Sequence, residues 1–357
     1  MPLRIRSSIR DYDVHFVGAA GLSGAFQEHG RSVYVVDQLV WQMYRNSLLH
    51  AISGLDPIIM PISEERKSLT SVQELYDRLT AHPAKRNLTL CSIGGGILQD
   101  ITGFVASTLY RGINWIFVPT TLLAQADSCI GSKTSLNYSG FKNLIGTFYP
   151  PTAVFVYPAF LTSQKDSDFF SGLGEVIKLH LIGGAGKSEE IVGLLPKVVT
   201  KEPKALFAAI RSSLQIKRDY IIGDEFDTGK RNLLNYGHCF GHALESASNF
   251  QIPHGQAVII GILLANIVAR NRGLLAKELE AEVAKKLLFP SLIIRPTTEQ
   301  LNVARMIEGM KRDKKRTGEG LALILMKNGY EMAKVNDLAP PEVTRAIEEL
   351  NAVMDIR

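Results

Sequence analysis

Leu88-Thr-Leu-Cys-Ser-Ile93 runs directly into Gly94-Gly-Gly96-Ile-Leu-Gln-Asp100, which together read as a strand, a tight glycine turn and the opening of a helix. Glycines let the backbone approach a pyrophosphate closely, and the helix start offers free N–H groups and a positive dipole end. A nucleotide is the natural ligand of such a turn. The run lacks Gly-x-Gly-x-x-Gly spacing, so by itself it reads equally well as a structural turn. Working outward, further β-branched or apolar runs fall at 32–37, 115–118 and 153–157, with helical periodicity at 71–79 and 101–110. This alternation predicts an α/β fold, a parallel sheet with helices on its faces. Asp37 closes the first of those strands, where it either binds a cofactor hydroxyl or caps the next helix. Beyond residue 168 the segments become long and helical, at 169–182, 204–222, 239–248, 255–272, 277–288, 298–310 and 341–354, with one strand expected at 321–326. The expected organisation is a Rossmann-like, parallel-sheet nucleotide domain over 1–167 followed by a mainly α-helical domain over 168–357. A cleft between the two is the default place for a site.

Composition narrows the function class. The chain has 357 residues, of which 46% are hydrophobic and 21% charged, the balance of a soluble globular protein with a large core. A net charge of +5 raises the question of nucleic acid. Apart from Lys311-Arg-Asp-Lys-Lys-Arg316, however, Lys and Arg are scattered and have no interleaved aromatics, so a small anionic substrate explains the excess. Cys91, Cys129 and Cys239 are odd in number and widely spaced, which implies no disulfide framework and suits a reducing cytoplasm. The first ten residues have no apolar leader pattern. The longest apolar run, 257–268, is interrupted by Gly261 and Asn266, so a buried helix is expected there and no membrane segment.

Three of the eight histidines lie in Asn235-Tyr-Gly-His238-Cys-Phe-Gly-His242 and Ile252-Pro-His254-Gly. His238 and His242, four apart, share one helix face, and His254 returns from a second element past the break at 249–253. Catalytic zinc or cobalt sites take about three such ligands and keep a position open for substrate. The best carboxylate is Glu175 in Ser171-Gly-Leu-Gly-Glu175-Val-Ile-Lys178, where an acid and an ammonium sit on one face of an apolar helix and need a partner or a metal. The histidine pair alone reads equally well as ordinary helix residues; His254 and Glu175 favour the metal. A further cluster, Asp127-Ser-Cys-Ile-Gly-Ser-Lys133 and Lys142-Asn143, places charge among Gly, Ser and Thr, as expected of a loop that binds phosphate and polyol hydroxyls. Lys217 is flanked by apolar helix, and Lys314-Lys315 follow another.

Together the blocks Gly94-Gly-Gly-Ile-Leu-Gln-Asp100-Ile-Thr-Gly-Phe104, Tyr110-Arg-Gly112, Val118-Pro-Thr-Thr-Leu-Leu-Ala124, Gly131-Ser-Lys133, Lys142-Asn143, Ser171 to Lys178 and Asn235 to His242 resemble 3-dehydroquinate synthase and its sugar-phosphate cyclase relatives, in the same order and across the whole chain. The resemblance implies NAD, Zn2+ or Co2+, a homodimer, and conversion of a small-molecule sugar acid phosphate, 3-deoxy-arabino-heptulosonate 7-phosphate, into 3-dehydroquinate and phosphate. It implies metal ligation by Glu175, His238 and His254. Asp37, Glu64, Lys67, Gly95, Gly96, Asp100, Thr120 and Thr121 match NAD-contacting positions, with Lys133 and Lys142 near cofactor and substrate alike. Asp127, Lys133, Lys142, Asn143, Lys178, Lys217, Arg231, Asn235 and His242 match substrate positions, and Arg111 with the Lys314–Lys315 pair matches phosphate positions, Arg111 in service of a neighbouring subunit. Three departures stand out. Gln99 and Ser132 occupy places where synthases usually have glycine, and Thr162 to Ser167 replaces a Thr-Leu-Pro-x-Arg stretch.

Three other readings compete. A cyclase acting on a different sugar phosphate would leave Arg231 and Lys217 without a substrate carboxylate. A polyol dehydrogenase of the similar iron-dependent kind has no use for so many phosphate-binding lysines. A degenerate nucleotide-binding partner would be expected to lose a metal ligand, and all three are kept.

Overall fold

The computed structural model describes residues 1–27, 32–81, 87–311 and 321–356. Contacts within the chain divide it into two units, Met1–Ser163 with Ile221–Phe226 and Gln164–Tyr220 with Asp227–Arg357.

Unit 1 contains β1 (Leu3–Ile5), β2 (Tyr12–Phe16), α1 (Ala19–Gln27), β3 (Ser32–Asp37), α2 (Gln38–Tyr44), β4 (Ile58–Met60), α3 (Leu69–Ala81), β5 (Thr89–Gly94), α4 (Gly96–Thr108), β6 (Asn114–Pro119), β7 (Lys133–Tyr138), β8 (Phe141–Phe148) and β9 (Ala153–Val156). Seven strands form one sheet in the order β1-β2-β9-β6-β5-β3-β4, parallel throughout except for the edge strand β1. Its central strands are buried on both faces, which is why their sequence is continuously apolar rather than alternating. Tyr34, Val36, Ile93, Ile116 and Val118 pack with Leu22, Phe26 and Phe160 on one side. From β3 the chain moves outward to β4, then crosses to β5 and continues the other way, so the carboxyl ends of β3 and β5 flank a topological switch point, where open α/β sheets bind ligands.

The stretch expected to be a phosphate-binding loop is instead an antiparallel hairpin, β7 on β8, with Leu136 opposite Ile145. Tyr138 faces Phe141 across Ser139 and Gly140, which both have positive φ (49° and 79°), the two-residue turn whose twist suits a hairpin. Buried Thr134 and Leu136 alternate with half-buried or exposed positions, a polar pattern that hides the strand from a search for apolar runs.

Unit 2 holds α5 (Asp166–Ile182), α6 (Ala185–Val198), α7 (Pro203–Ile221, its last residue falling in unit 1), α8 (His238–Ala247), α9 (His254–Asn271), α10 (Lys277–Val283), α11 (Val303–Lys311), β10 (Leu321–Met326), β11 (Met332–Leu338) and α12 (Pro340–Met354). The strand expected at 321–326 has a partner the sequence reading missed, β11, paired antiparallel to it. Helix α9 is buried from Gly255 to Ala269 and packs against α5, α8 and α12. Two glycines permit this. A Cβ on Gly255 would lie 1.7 Å from the Ser171 carbonyl oxygen of α5, and one on Gly261 would lie 2.0 Å from that of Gly237, which precedes α8. Backbone touches backbone at these points, next to Glu175, His238 and His254. No helix among the described residues is long and apolar enough to cross a membrane.

Candidate functional site

In unit 1 the cofactor candidates gather at the switch point. Gly94 lies against Asp37, for a Cβ added to it would sit 3.2 Å from the Asp37 Cβ. A Cβ on Gly95 would come within 3.1 Å of Thr121, and the Thr120 amide donates to the Gly94 carbonyl at 2.9 Å. Gly95 is the N-cap of α4 and has no side-chain cap, which leaves first-turn amides of a thirteen-residue helix open to an anion. These features fit a pyrophosphate. Asp37 takes the amides of Leu39 and Val40 on Oδ1, so the capping role is real. Burial raises its carboxyl above the usual range against those two amides.

Lys67, Asp100 and Asn143, assigned separately to cofactor and substrate, form one network. The Lys67 ammonium sits 2.5 Å from Asp100 Oδ2 and donates to Asn143 Oδ1, while the Ser135 hydroxyl lies within reach of both acceptors, at 3.0 and 2.8 Å. Asn137 donates to Glu64 at 2.8 Å and accepts the Asn143 amide at 2.9 Å, tying the hairpin to the turn at Glu64–Arg66. Burial lifts the Asp100 carboxyl above its usual range even with Lys67 and Ser135 pulling it down. Asp127 is half-buried in a single π-turn, Ala124–Ser128; Lys133 is exposed and Lys142 half-buried. Arg111 is exposed at φ +65°, directly after Tyr110 at φ +53°, which projects it from the turn following α4.

Unit 2 brings Glu175, Lys178, His238, His242 and His254 together. Ring nitrogens of the three histidines can all lie within 4.8 Å of one another. Glu175 Oε1 is 3.1 Å from His254 Nε2 and 3.5 Å from His238 Nε2. Donors bound at about 2.1 Å around one tetrahedral ion are about 3.4 Å apart, so this spacing fits a divalent cation of the zinc or cobalt kind. The remaining carboxylate oxygen of Glu175 is 2.5 Å from the Lys178 ammonium, with both side chains almost fully buried. Burial pushes the Glu175 carboxyl up, but Lys178, His238 and His254 outweigh it and hold it well below the usual carboxylate range. Burial and the Lys178 charge keep His238 well below the ordinary imidazole value, hence neutral with a lone pair to give. His254 goes the other way. Burial lowers it, but Glu245 and Glu175 on either ring nitrogen raise it to about 10.

Glu245 is a residue the sequence reading missed. Nearly buried, it accepts from His254 Nδ1 at 3.0 Å and so directs Nε2 toward Glu175, while the Tyr236 carbonyl, 3.2 Å from His238 Nδ1, does the same for His238. Its signal was its place two turns after His238 on the same helix face. Lys334 of β11 is another, lining a cavity with Asn235, His238, Cys239 and His242. Lys217 on α7 and Arg231 in the turn Lys230–Asn235 are both buried cations of unit 2, and Asn235 closes that turn with its amide on the Asn232 carbonyl at 2.8 Å. Lys314 and Lys315 lie outside the described residues.

Residues 57–171 match the family model for the 3-dehydroquinate synthase N-terminal region, and residues 172–316 match that for its C-terminal region. The chain is 36% identical over 348 residues to a 3-dehydroquinate synthase of Acidithiobacillus ferrooxidans, covering 95% of each chain. Among solved structures it resembles a 2-epi-5-epi-valiolone synthase from Streptomyces hygroscopicus solved with NAD+ and Zn2+, with a TM-score of 0.85 and 24% identity over 98% of this chain and 99% of that one. It also resembles a 2-deoxy-scyllo-inosose synthase complexed with carbaglucose-6-phosphate, NAD+ and Co2+, with a TM-score of 0.82 and 23% identity over 98% and 100% of the two chains. At that identity these two structures speak for the fold.

Proposed function

The chain belongs to the 3-dehydroquinate synthase family, and from that premise we propose that it is a synthase that converts 3-deoxy-arabino-heptulosonate 7-phosphate into 3-dehydroquinate and phosphate. NAD is assigned to the switch point of unit 1, and Zn2+ or Co2+ to Glu175, His238 and His254. The observation that carries the substrate choice is that Arg231 and Lys217 are buried cations of unit 2, besides Lys178, in a chain 36% identical to a named synthase. A buried guanidinium suits a planar carboxylate that it can hold bidentately.

When bound, the divalent ion acidifies a substrate hydroxyl and NAD takes up and later returns a hydride. The protein's own part is positional and acid–base. Glu245 and the Tyr236 carbonyl fix the two imidazoles, so that Nε2 of each faces inward. Lys178 offsets the charge of Glu175. His242 is solvent-exposed beside His238 and carries protons between a substrate oxygen and water at its ring nitrogen. The uncapped amides of α4 hold the cofactor pyrophosphate, and Asp37 Oδ2 accepts from a ribose hydroxyl. Lys133, Lys142, Asn143, Arg111 and the Lys314–Lys315 pair take the phosphate end of the substrate, leaving ring closure chiefly to orientation.

A second reading, a cyclase for a different sugar phosphate, draws on Gln99 and Ser132, which depart from the synthase pattern beside Asp127 and Lys133. Phosphate release from the seven-carbon keto acid phosphate, in the presence of NAD and Zn2+ or Co2+ and with the product identified by NMR, decides between them. Formation of 3-dehydroquinate supports the synthase. No release by folded, metal-loaded protein overturns it in favour of the second reading.

A further inference from the structure

The two glycine departures are the part of unit 1 that the family resemblance leaves unexplained, and the structure gives each a partner. Gln99, nearly buried on α4, makes a reciprocal pair of hydrogen bonds with Ser128: its Nε2 donates to the Ser128 carbonyl at 2.7 Å, and the Ser128 hydroxyl donates to its Oε1 at 2.6 Å. Ser128 ends the π-turn that carries Asp127. Four residues later Ser132 sits at φ +64°, a conformation that glycine adopts freely and serine does not. Its hydroxyl donates to Glu225 Oε1 at 2.9 Å, and that carboxylate also receives the Ser7 hydroxyl at 2.6 Å and the Ser8 amide at 2.7 Å. Between the two anchors the Gly131 amide donates to the Tyr12 hydroxyl at 3.1 Å.

We propose that Gln99 and Ser132 are paired positioning residues that clamp the segment from Asp127 to Lys133 at both ends and thereby set how tightly the enzyme holds its sugar phosphate. With glycine at both places, the side-chain bonds to Ser128 and to Glu225 would both be lost. Here α4 grips one end through the Gln99 amide, while the 221–226 segment and the N-terminal strand region grip the other through Glu225. Asp127 and Lys133 are delivered in one arrangement, so little ordering is left to be done when the phosphate binds. Neither residue need touch the substrate. This inference rests on the assignment of Asp127 and Lys133 to substrate made above.

The experiment compares the wild type with Gln99→Gly, Ser132→Gly, the double variant and Ser132→Asn, each loaded with NAD and Zn2+. Hydrogen exchange of the amides at 127–134 is followed alongside KM and kcat for the keto acid phosphate. Each glycine variant should speed exchange of this segment about tenfold per anchoring bond lost. KM should rise by a comparable factor while kcat changes less than about twofold, a split that a general loss of stability does not give. Asparagine tolerates positive φ and can donate to Glu225, so Ser132→Asn should restore both readouts. If Gln99→Gly fails to fold, Ser128→Ala removes the hydroxyl half of the same clamp. Unchanged exchange in the glycine variants, or faster exchange with an unchanged KM, overturns the proposal. Should the wild type release no phosphate, the proposed substrate falls, and exchange rates with and without inorganic phosphate still decide whether the clamp orders the segment for an anion.

Discussion

The two units present their functional side chains in opposite electrostatic conditions. In unit 1 the polar residues of the cofactor edge are satisfied among themselves, with Lys67 paired to Asp100, Asn143 bonded to Lys67 and Asp37 capping α2. In unit 2 three imidazoles from α8 and α9 and a carboxylate from the middle of α5 are packed together on helices held by backbone contact, and the ring nitrogens lie within 4.8 Å of one another. In the first arrangement the Lys67 network has its partners within the protein, while the uncapped amides of α4 stay open to an anion. The second concentrates donor atoms with no proton between some of them, a condition that a dication relieves. Replacing a residue of the histidine cluster should therefore damage ligand capture, whereas breaking the Lys67 pair should damage the fold.

The largest effect is expected at Glu175. Glu175→Gln removes the anionic donor between His238 and His254 and should lower turnover on the order of a thousandfold, the equivalent of several kcal/mol of lost charge stabilisation. Metal content of the purified variant, read by elemental analysis, should fall with it. A fully loaded variant of near-normal activity would remove Glu175 from the metal centre and break the contrast at its strongest point.

Next is the ion pair of unit 1. Lys67→Met leaves the half-buried Asp100 without its cation, which should destabilise by about 1–3 kcal/mol. Adding Asp100→Asn removes the stranded charge, so the double variant should recover most of the loss in a denaturant titration. That recovery is specific to a self-satisfied network; no second substitution at Lys178 should restore metal to Glu175→Gln. If Lys67→Met and the double variant unfold alike, the pair is not what holds the hairpin to the turn at Glu64–Arg66.

How far such contrasts could be read from sequence depended on burial. Strands β3, β5, β6 and β9 were legible because both faces are covered and the whole run is apolar. Strand β4 has three residues, too few for any periodicity, and β7, β8 and β11 alternate or expose polar side chains, so their residues read as loop. The histidine cluster was legible because the four-residue spacing of His238 and His242 survives any error in helix bounds. Glu245 stands on the helix face of His238, but its partner His254 lies past the break at 249–253, and that spacing does not show that the two helices meet there.

Glu245 sharpens the comparison within unit 2. Glu245→Gln keeps an oxygen that can accept from His254 Nδ1 but loses the charge that makes the imidazole a strong donor. Metal affinity, measured by competition with a chelating dye, should weaken by about 10- to 100-fold with folding largely intact. An affinity within twofold of wild type would mean that the orientation of His254 is set by packing alone.

The smallest effect belongs to Glu225 in unit 1. Burial pushes its carboxyl up, but hydrogen bonds from Ser7, the Ser8 amide and Ser132 prevail and hold it below its ordinary value of 4.5. A folded-state value below the unfolded one contributes stability that is present above about pH 4.5 and is lost as pH falls through the folded value. Glu225→Gln keeps the shape and abolishes that contribution. At neutral pH it should destabilise by about 1 kcal/mol, shifting Tm by about 1–2 °C. The gap between variant and wild type should close as pH drops below about 4.5, because the wild-type carboxyl then takes up the proton that makes it resemble the amide. A gap that persists unchanged to pH 3 would show that geometry alone, without charge, anchors Ser132, and unit 1 would then owe less to pre-paired charge than its hydrogen bonds imply.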